Sequence, residues 1–509
     1  MSYAELTEAT GRVNDLLNAG SVLSWDARTM MPKGGAESRS KQLATLAVAA
    51  RDLLCSDEMK HALDGAAAEV AGKPDDSAEA RIVAQVREAI DYHERIPPEL
   101  LRRKTELGSS AHEVWAEARE QADFSIFAPA LTTMVDINRE MAQAIGYETH
   151  PYDALMYRFE PGTTEAGLKT LFARLREGMI PLVRAIADAE KPRAEFLFRD
   201  FPADAQMVFA LQMAERIGYD THRGRLDTTV HPFEVSFTRN DVRITTRVNE
   251  RYMPMSLFGA LHEAGHAMYE QGVDPAYTRT PLATDLISLY AVGGVSFGAH
   301  ESQSRLWENH VGRSRAFWKN HMDDIRAAYP GKLDDVDAEE FYRAVNRSEP
   351  SFVRVEADEL TYDFHVMVRC ELEAKMVDGS LNVAELPEAW NATMKDYLGV
   401  DVPDDGKQGV LQDVHWSSGQ IGTFCNYTVG NIMAAQLFET ATIESPDIQT
   451  ALDAADYTPL RTWLTNHVAQ HGRRFSRDEL LEKATGRPLD PEPYLAHLTK
   501  KYSDIYALA

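Results

Sequence analysis

His262, Glu263 and His266 stand in the run His262-Glu263-Ala264-Gly265-His266. Two histidines four residues apart on a helix project from one face, one turn apart, and both rings can reach a single zinc ion. A glutamate beside the first histidine cannot reach that ion but can act on water held there. The chemistry is hydrolysis, with a zinc-bound water as nucleophile and Glu263 as general base and then acid. A catalytic zinc has three protein ligands and an open position, and the third ligand must come from another element. Glu270 lies a further turn along the same face. Three ligands on one helix would spread over about 12 Å of rise, too far for bonds near 2 Å, so Glu270 reads as a neighbour. Gly272 stands where a third histidine of a metzincin would be. The run Ala299-His300-Glu301-Ser302-Gln303-Ser304-Arg305 offers Glu301 as first choice, with His300 and Glu308 as rivals.

These residues need elements to hold them. Met255–Leu261 and Ala267–Glu270 continue the helix on both sides of the motif, and Gly272 and Pro275 end it. A second helix follows the glycine-rich Gly293-Gly294-Val295-Ser296-Phe297-Gly298 and carries Glu301. Just before the metal helix, Phe233–Phe237 and Val242–Val248 alternate with period two around Arg239-Asn240-Asp241, a hairpin signal. An extended edge there would cap a helical lobe and could hold a peptide backbone by strand addition.

The rest reads as helix. Residues 36–55, 78–94, 97–121, 164–190 and 203–217 show apolar positions at three- and four-residue steps, as do 299–325, 338–346, 356–378, 383–397, 427–442 and 477–484. Prolines and glycines at 97–98, 151, 161–162 and 330–331 punctuate the pattern. No internal repeat, low-complexity tract or long linker is visible. Length alone would allow about three domains.

Net charge excludes some partners. Lys and Arg number 53 against 79 Asp and Glu, giving −26. That surface repels phosphate backbones and anionic lipid, so neither nucleic acid nor a membrane is an expected partner. Three scattered cysteines, Cys55, Cys370 and Cys425, suggest a reducing compartment and no disulfide framework. The first residues show no signal peptide and no apolar run approaches a membrane span. A cytoplasmic protein is expected.

Ordered motifs then narrow the reading. The metal helix is followed by His300-Glu301-Ser302-Gln303. Before it stands Asp241-Val242-Arg243-Ile244-Thr245. After it come Val353-Arg354-Val355-Glu356-Ala357-Asp358 and Gly409-Val410-Leu411-Gln412-Asp413-Val414-His415-Trp416. Together these resemble the carboxypeptidase Taq family of zinc metallocarboxypeptidases. Trp25-Asp26 and Met31–Glu37 add family-like stretches near the N-terminus, so the resemblance covers nearly the whole chain. It implies one catalytic domain over 1–509 and an all-α, two-lobed fold with a deep groove and a small β-sheet beside the zinc helix. It also implies a homodimer that removes single residues from peptides with a free C-terminus, with an endo-acting oligopeptidase as the rival activity. It makes Glu301 the third ligand beside His262 and His266, with one zinc per chain that Co2+ could replace. His415 and Tyr427 become candidate donors to the tetrahedral intermediate. Arg354, then Arg243, become candidates for the substrate's terminal carboxylate, which a planar guanidinium pairs bidentately; an internal ion pair of Arg354 with Glu356 or Asp358 is the alternative. Gln412 and Asp413 are expected to orient His415 or a zinc ligand.

Two departures from the family pattern stand out. The stretch before Glu301 is longer than usual, with the extra residues around Leu286–Val292. The family's Ile-Gly-x-Phe-Pro-Thr-Tyr appears as Ile421-Gly422-Thr423-Phe424-Cys425-Asn426-Tyr427, which keeps the tyrosine and loses the proline and threonine.

Overall fold

A computed structural model describes residues 2–508. Among them are twenty α-helices and one sheet of three short strands, which makes the fold mainly helical. Contacts divide the chain into two compact units, each assembled from three separated stretches. Unit 1 comprises Met1–His93, Pro192–Val345 and Gly430–Asp490; unit 2 comprises Glu94–Lys191, Asn346–Val429 and Pro491–Ala509.

Each unit has a helix that is buried almost all round. In unit 1 it is Pro254–Gly272, with fourteen of its nineteen residues buried. In unit 2 it is Tyr362–Asp378, with fourteen of seventeen buried. A helix apolar on every side belongs in a core. Ionisable residues on such helices are costly unless they are paired or chemically used. Both helices carry several.

The unit 1 sheet lies against the first of these helices. Strands β2 (Glu234–Thr238) and β3 (Asp241–Thr246) form the expected hairpin, with Thr238 opposite Asp241 and an irregular register between Ser236 and Thr238. The connection is therefore tighter than the three residues read from the sequence. Strand β1 (Leu226–Thr228) adds in parallel to the other side of β3; three residues are too few to show a period. Trp25, at the end of the long helix Tyr3–Thr29, packs on Val235 and Phe237 of β2. The N-terminal helices enclose Leu6, Val13, Leu54, Met59 and Val86, and the same core takes in Leu286 and Ala291. The long stretch before the second metal-site helix is thus anchored in the N-terminal core.

The helix read over 299–325 is interrupted. An α-helix, Phe297–Arg305, passes into a π-helical segment, Leu306–Gly312, and a new helix runs Arg315–Ala328. The Arg313 amide bonds to the Glu308 carbonyl five residues back. One extra residue in a turn re-aims the side chains beyond it, and Glu308 is among them. Among the described residues, no helix is long and apolar enough to cross a membrane. All three cysteines are free.

Candidate active site

Unit 1 brings His262, His266 and Glu301 together, with one ligand atom from each within 4.8 Å of the others. Glycine at 265, between the histidines, allows it. A Cβ there would lie 2.6 Å from the Gln303 carbonyl oxygen and 2.6 Å from Ser304 Cα. Only a residue without a side chain lets the two helices approach so closely. Gly430 does the same on the far side, where a Cβ would meet Glu301 Cβ and Cγ at 2.7 Å.

The outer contacts fix the orientation of each donor. Glu301 Oε2 lies 3.3 Å from His266 Nε2 and 3.7 Å from His262 Nε2, and Arg305 holds Glu301 Oε1 at 2.7 Å. His266 Nδ1 is 3.0 Å from the His300 carbonyl. A carbonyl can only accept, so that nitrogen carries the proton and Nε2 keeps its lone pair. His262 Nδ1 is likewise bonded to Glu308 at 3.0 Å, and Arg313 holds Glu308 at 3.0 Å. Two imidazoles with Nε2 free, each oriented through Nδ1, plus one carboxylate oxygen suit a tetrahedral metal with an open position.

Electrostatics agree with that use. Burial would lower the pKa of His262, but Glu301 and Glu308 outweigh it and raise it. Burial and the neighbouring His300 pull His266 down to about 3. Glu301 would rise through burial, yet Arg305 and His262 hold it well below the ordinary carboxylate range. Glu263 is 6 % exposed, and its carboxylate accepts no hydrogen bond from the described residues. Burial raises its pKa to about 7, against the opposing pull of His262. A carboxylate left unbonded and poised near neutrality beside three metal donors is a general base waiting for a proton.

The other acidic and histidine candidates are placed apart from the donors. Glu270 accepts from the Gly293 amide at 2.8 Å, the Gly294 amide at 3.0 Å and His300 Nε2 at 3.0 Å. The His300 ring stacks on His266 at 4.5 Å between centroids. Glu270, His300 and Glu308 thus surround the three donors. Arg243 lies on β3, bonded to Asp241 at 2.8 and 2.9 Å, with its guanidinium over Trp25 and Phe237.

Unit 2 holds Arg354, His415 and Tyr427. Arg354 is 5 % exposed. It donates to Asp413 at 2.8 and 3.2 Å and to the Tyr362 hydroxyl at 2.8 Å, and lies over the Tyr427 ring at 5.1 Å. Its ion-pair partner is therefore Asp413, not Glu356 or Asp358. Asp358 instead accepts from the Ser348 hydroxyl and the Glu349, Leu360 and Thr361 amides. Asp413 and Gln412 serve arginines: Arg369 donates to Asp413 at 2.6 Å and to Gln412 at 2.8 Å. His415 Nδ1 is 3.8 Å from Asp413 Oδ1 and has no hydrogen-bond partner. Burial lowers its pKa to about 4, with Arg354 and Arg369 adding to the effect and Asp413 opposing it. His415 is neutral at pH 7.

Sequence reading missed Arg369 and Glu373. Glu373 accepts from Tyr152, the Trp416 indole and the Gly422 amide and so ties down the segment around His415. The available signal was charge inside the apolar run Phe364–Met376.

A family pattern described as carboxypeptidase Taq (M32) metallopeptidase matches residues 5–502. The chain is 37% identical over 505 residues to carboxypeptidase 1 of Bacillus subtilis strain 168, covering 99% of this chain and 98% of that one. It is 38% identical over 520 residues to thermostable carboxypeptidase 1 of Thermus thermophilus, covering 99% of each. A solved M32 carboxypeptidase from Deinococcus radiodurans R1 superposes with a TM-score of 0.94 at 39% identity, covering 99% of both chains.

Proposed function

Because this chain belongs to the carboxypeptidase Taq (M32) metallopeptidases, we propose that it is a zinc-dependent metallocarboxypeptidase that releases single residues from the C-terminus of peptides. The observation that carries this is the convergence of His262, His266 and Glu301 beside the unbonded carboxylate of Glu263. Two imidazole nitrogens and one carboxylate oxygen fit Zn2+, with Co2+ as a substitute of the same geometry. The metal, when bound, supplies Lewis acidity and brings water within reach of ionisation near neutral pH.

The chain's own residues do the rest. Glu263 takes the proton of the attacking water at its carboxylate and returns it to the departing amine. Glu308 and the His300 carbonyl keep the donor faces of His262 and His266 turned to the metal. For the remaining roles the support is the family motifs. His415, as a neutral imidazole, and Tyr427, through its hydroxyl, donate to the oxygen on which charge develops. Arg354 receives the terminal carboxylate. Asp413 and Tyr362 engage three of its five N–H groups and orient the two that remain. Arg243 is the second choice. The reading includes a homodimer acting on peptides in the cytoplasm, supported by the −26 net charge and free cysteines.

Mass spectrometry of one peptide incubated with the zinc-loaded protein tests it. Stepwise loss of single C-terminal residues is expected. Internal fragments, with no dependence on a free C-terminus, would make the enzyme an oligopeptidase.

A further inference from the structure

Two donors in unit 1 have no acceptor. Arg28 lies in the last turn of the helix Tyr3–Thr29. Its guanidinium sits 3.4 Å above the Phe233 ring, and its one side-chain hydrogen bond is a long one, 3.4 Å, to the His231 carbonyl. No carboxylate of the described residues lies within ion-pairing distance of it. That is unusual in a chain with 79 acidic residues and 53 basic ones. The second donor is the hydroxyl of Tyr290, which is partly buried and makes no hydrogen bond to the described residues. The two lie in each other's electrostatic reach, and both in that of Glu263.

Tyr290 is held in place deliberately. It belongs to the stretch that makes this loop longer than the family pattern. Its backbone closes a turn with Asp285 through bonds of 2.8 and 2.9 Å. Asp285 Oδ1 accepts from the Ile287 and Ser288 amides, and Arg473 lies 3.3 Å from the same carboxylate. Leu286 and Ala291 are buried in the N-terminal core, with Ile287 and Leu289 packed on it. Leu289 has φ +52°, a left-handed conformation that costs a branched residue about 1 kcal/mol or more. A strained, four-point anchored turn that ends in an unbonded phenol fits a binding role better than a spacer.

We propose that Arg28 and Tyr290 form a carboxylate-binding subsite beside Glu263, occupied by an acidic group of the peptide close to the scissile bond. The chemistry is that of a guanidinium and a phenol converging on one carboxylate. Other acids nearby do not compete for these donors. Glu270 is saturated by two amides and His300. Burial, reinforced by Glu270, pushes the Glu234 carboxyl up toward its neutral form. The occupant is either the terminal carboxylate or an acidic side chain of the released residue. The proposal rests on the carboxypeptidase reading for the identity of the ligand.

The test compares the parent enzyme with Arg28→Gln, Arg28→Lys and Tyr290→Phe on blocked tripeptides ending in Ala-Glu or Ala-Gln, each as free acid and as amide. Arg28→Gln is expected to lower kcat/KM at least about tenfold for the responsive peptides. Tyr290→Phe should lower it less, and Arg28→Lys should restore part of the loss. A loss shared by both acids and absent from the amides assigns the terminal carboxylate. A loss confined to the Glu-ended peptides assigns the side chain. Equal effects on all four peptides, or none, overturn the subsite. Calorimetric binding of glutarate to the zinc-loaded proteins separates this from failure of the functional reading. If the parent releases no C-terminal residue but Arg28→Gln still loses glutarate affinity, the subsite stands and the carboxypeptidase reading falls. If glutarate binds parent and variant alike, the subsite falls whatever the turnover.

Discussion

At the scale of single residues, Glu263 and its neighbours divide the work by environment. Three carboxylates crowd the metal donors, and each has a different state. Arg305 and the histidines hold Glu301 ionised, and His262 and Arg313 do the same for Glu308. Only Glu263, without a cation bonded to it, drifts up to about 7. Glu263→Gln should therefore bind zinc normally and lose at least about 100-fold in kcat, the cost of a missing general base; near-normal turnover by the metal-loaded variant would reject the assignment. The pH dependence has a definite sign. A base must be ionised to accept a proton, so kcat/KM rises with pH through the pKa of Glu263. A bound dication favours the ionised form, so that rising limb falls below 7. The pH profile of the zinc enzyme checks it, and a limb above pH 7 would contradict it.

At the scale of elements, the site depends on two helices touching. Gly265 permits the contact, and a methyl group there meets backbone, which cannot swing aside. Gly265→Ala should push Phe297–Arg305 away, lower stability by about 1–3 kcal/mol and weaken zinc binding about 10- to 100-fold, in line with other perturbed ligand supports. Unfolding curves and competition with a chelator measure the two effects, and unchanged zinc affinity would show that the contact does not position Glu301. The acids on the two helices separate in the same way. Glu301→Ala should emerge from dialysis without metal. Glu270→Ala should keep about one zinc per chain but melt earlier, because the Gly293 and Gly294 amides lose a buried acceptor at about 1–3 kcal/mol. Metal content after dialysis decides between them, and the reverse pattern would exchange their roles.

For the molecule as a whole, a chain of −26 must draw a negatively charged peptide end toward itself with local cations. C-terminally amidated peptides should be poor substrates for the parent enzyme. Arg354→Ala should lower kcat/KM strongly for free acids, about 2–5 kcal/mol for a lost buried pair, and much less for the amides. Equal penalties on both would make Arg354 a structural partner of Asp413 and leave Arg243 as the next choice. Amides cut as fast as acids would favour the oligopeptidase.

Much of this was legible in the residues alone. Helices such as Ala36–Leu54, Pro98–Gln121 and Ala203–Ile217 fall where apolar spacing puts them, because a one-sided apolar stripe is a local property of the chain. The hairpin before the metal helix was readable for the same reason. Tyr3–Thr29 was not: Gly11, Asn14, Asn18 and Gly20 weaken its local preference, and packing on the other N-terminal helices and on β2 sustains it. The histidine pair with its glutamate is likewise local, one helical turn. The choice among Glu301, His300 and Glu308 was not, since all three sit close together on the second helix and only its distance and rotation against Gly265 decide which carboxylate faces the Nε2 atoms. The π-turn that aims Glu308 at His262 has no periodic signature. Nor does the Arg354–Asp413–Arg369 cluster, whose members are 44 and 59 residues apart. Local periodicity fixes elements and the motifs within one turn. The partners of a buried charge are set by which elements meet, and only the tertiary structure decides that.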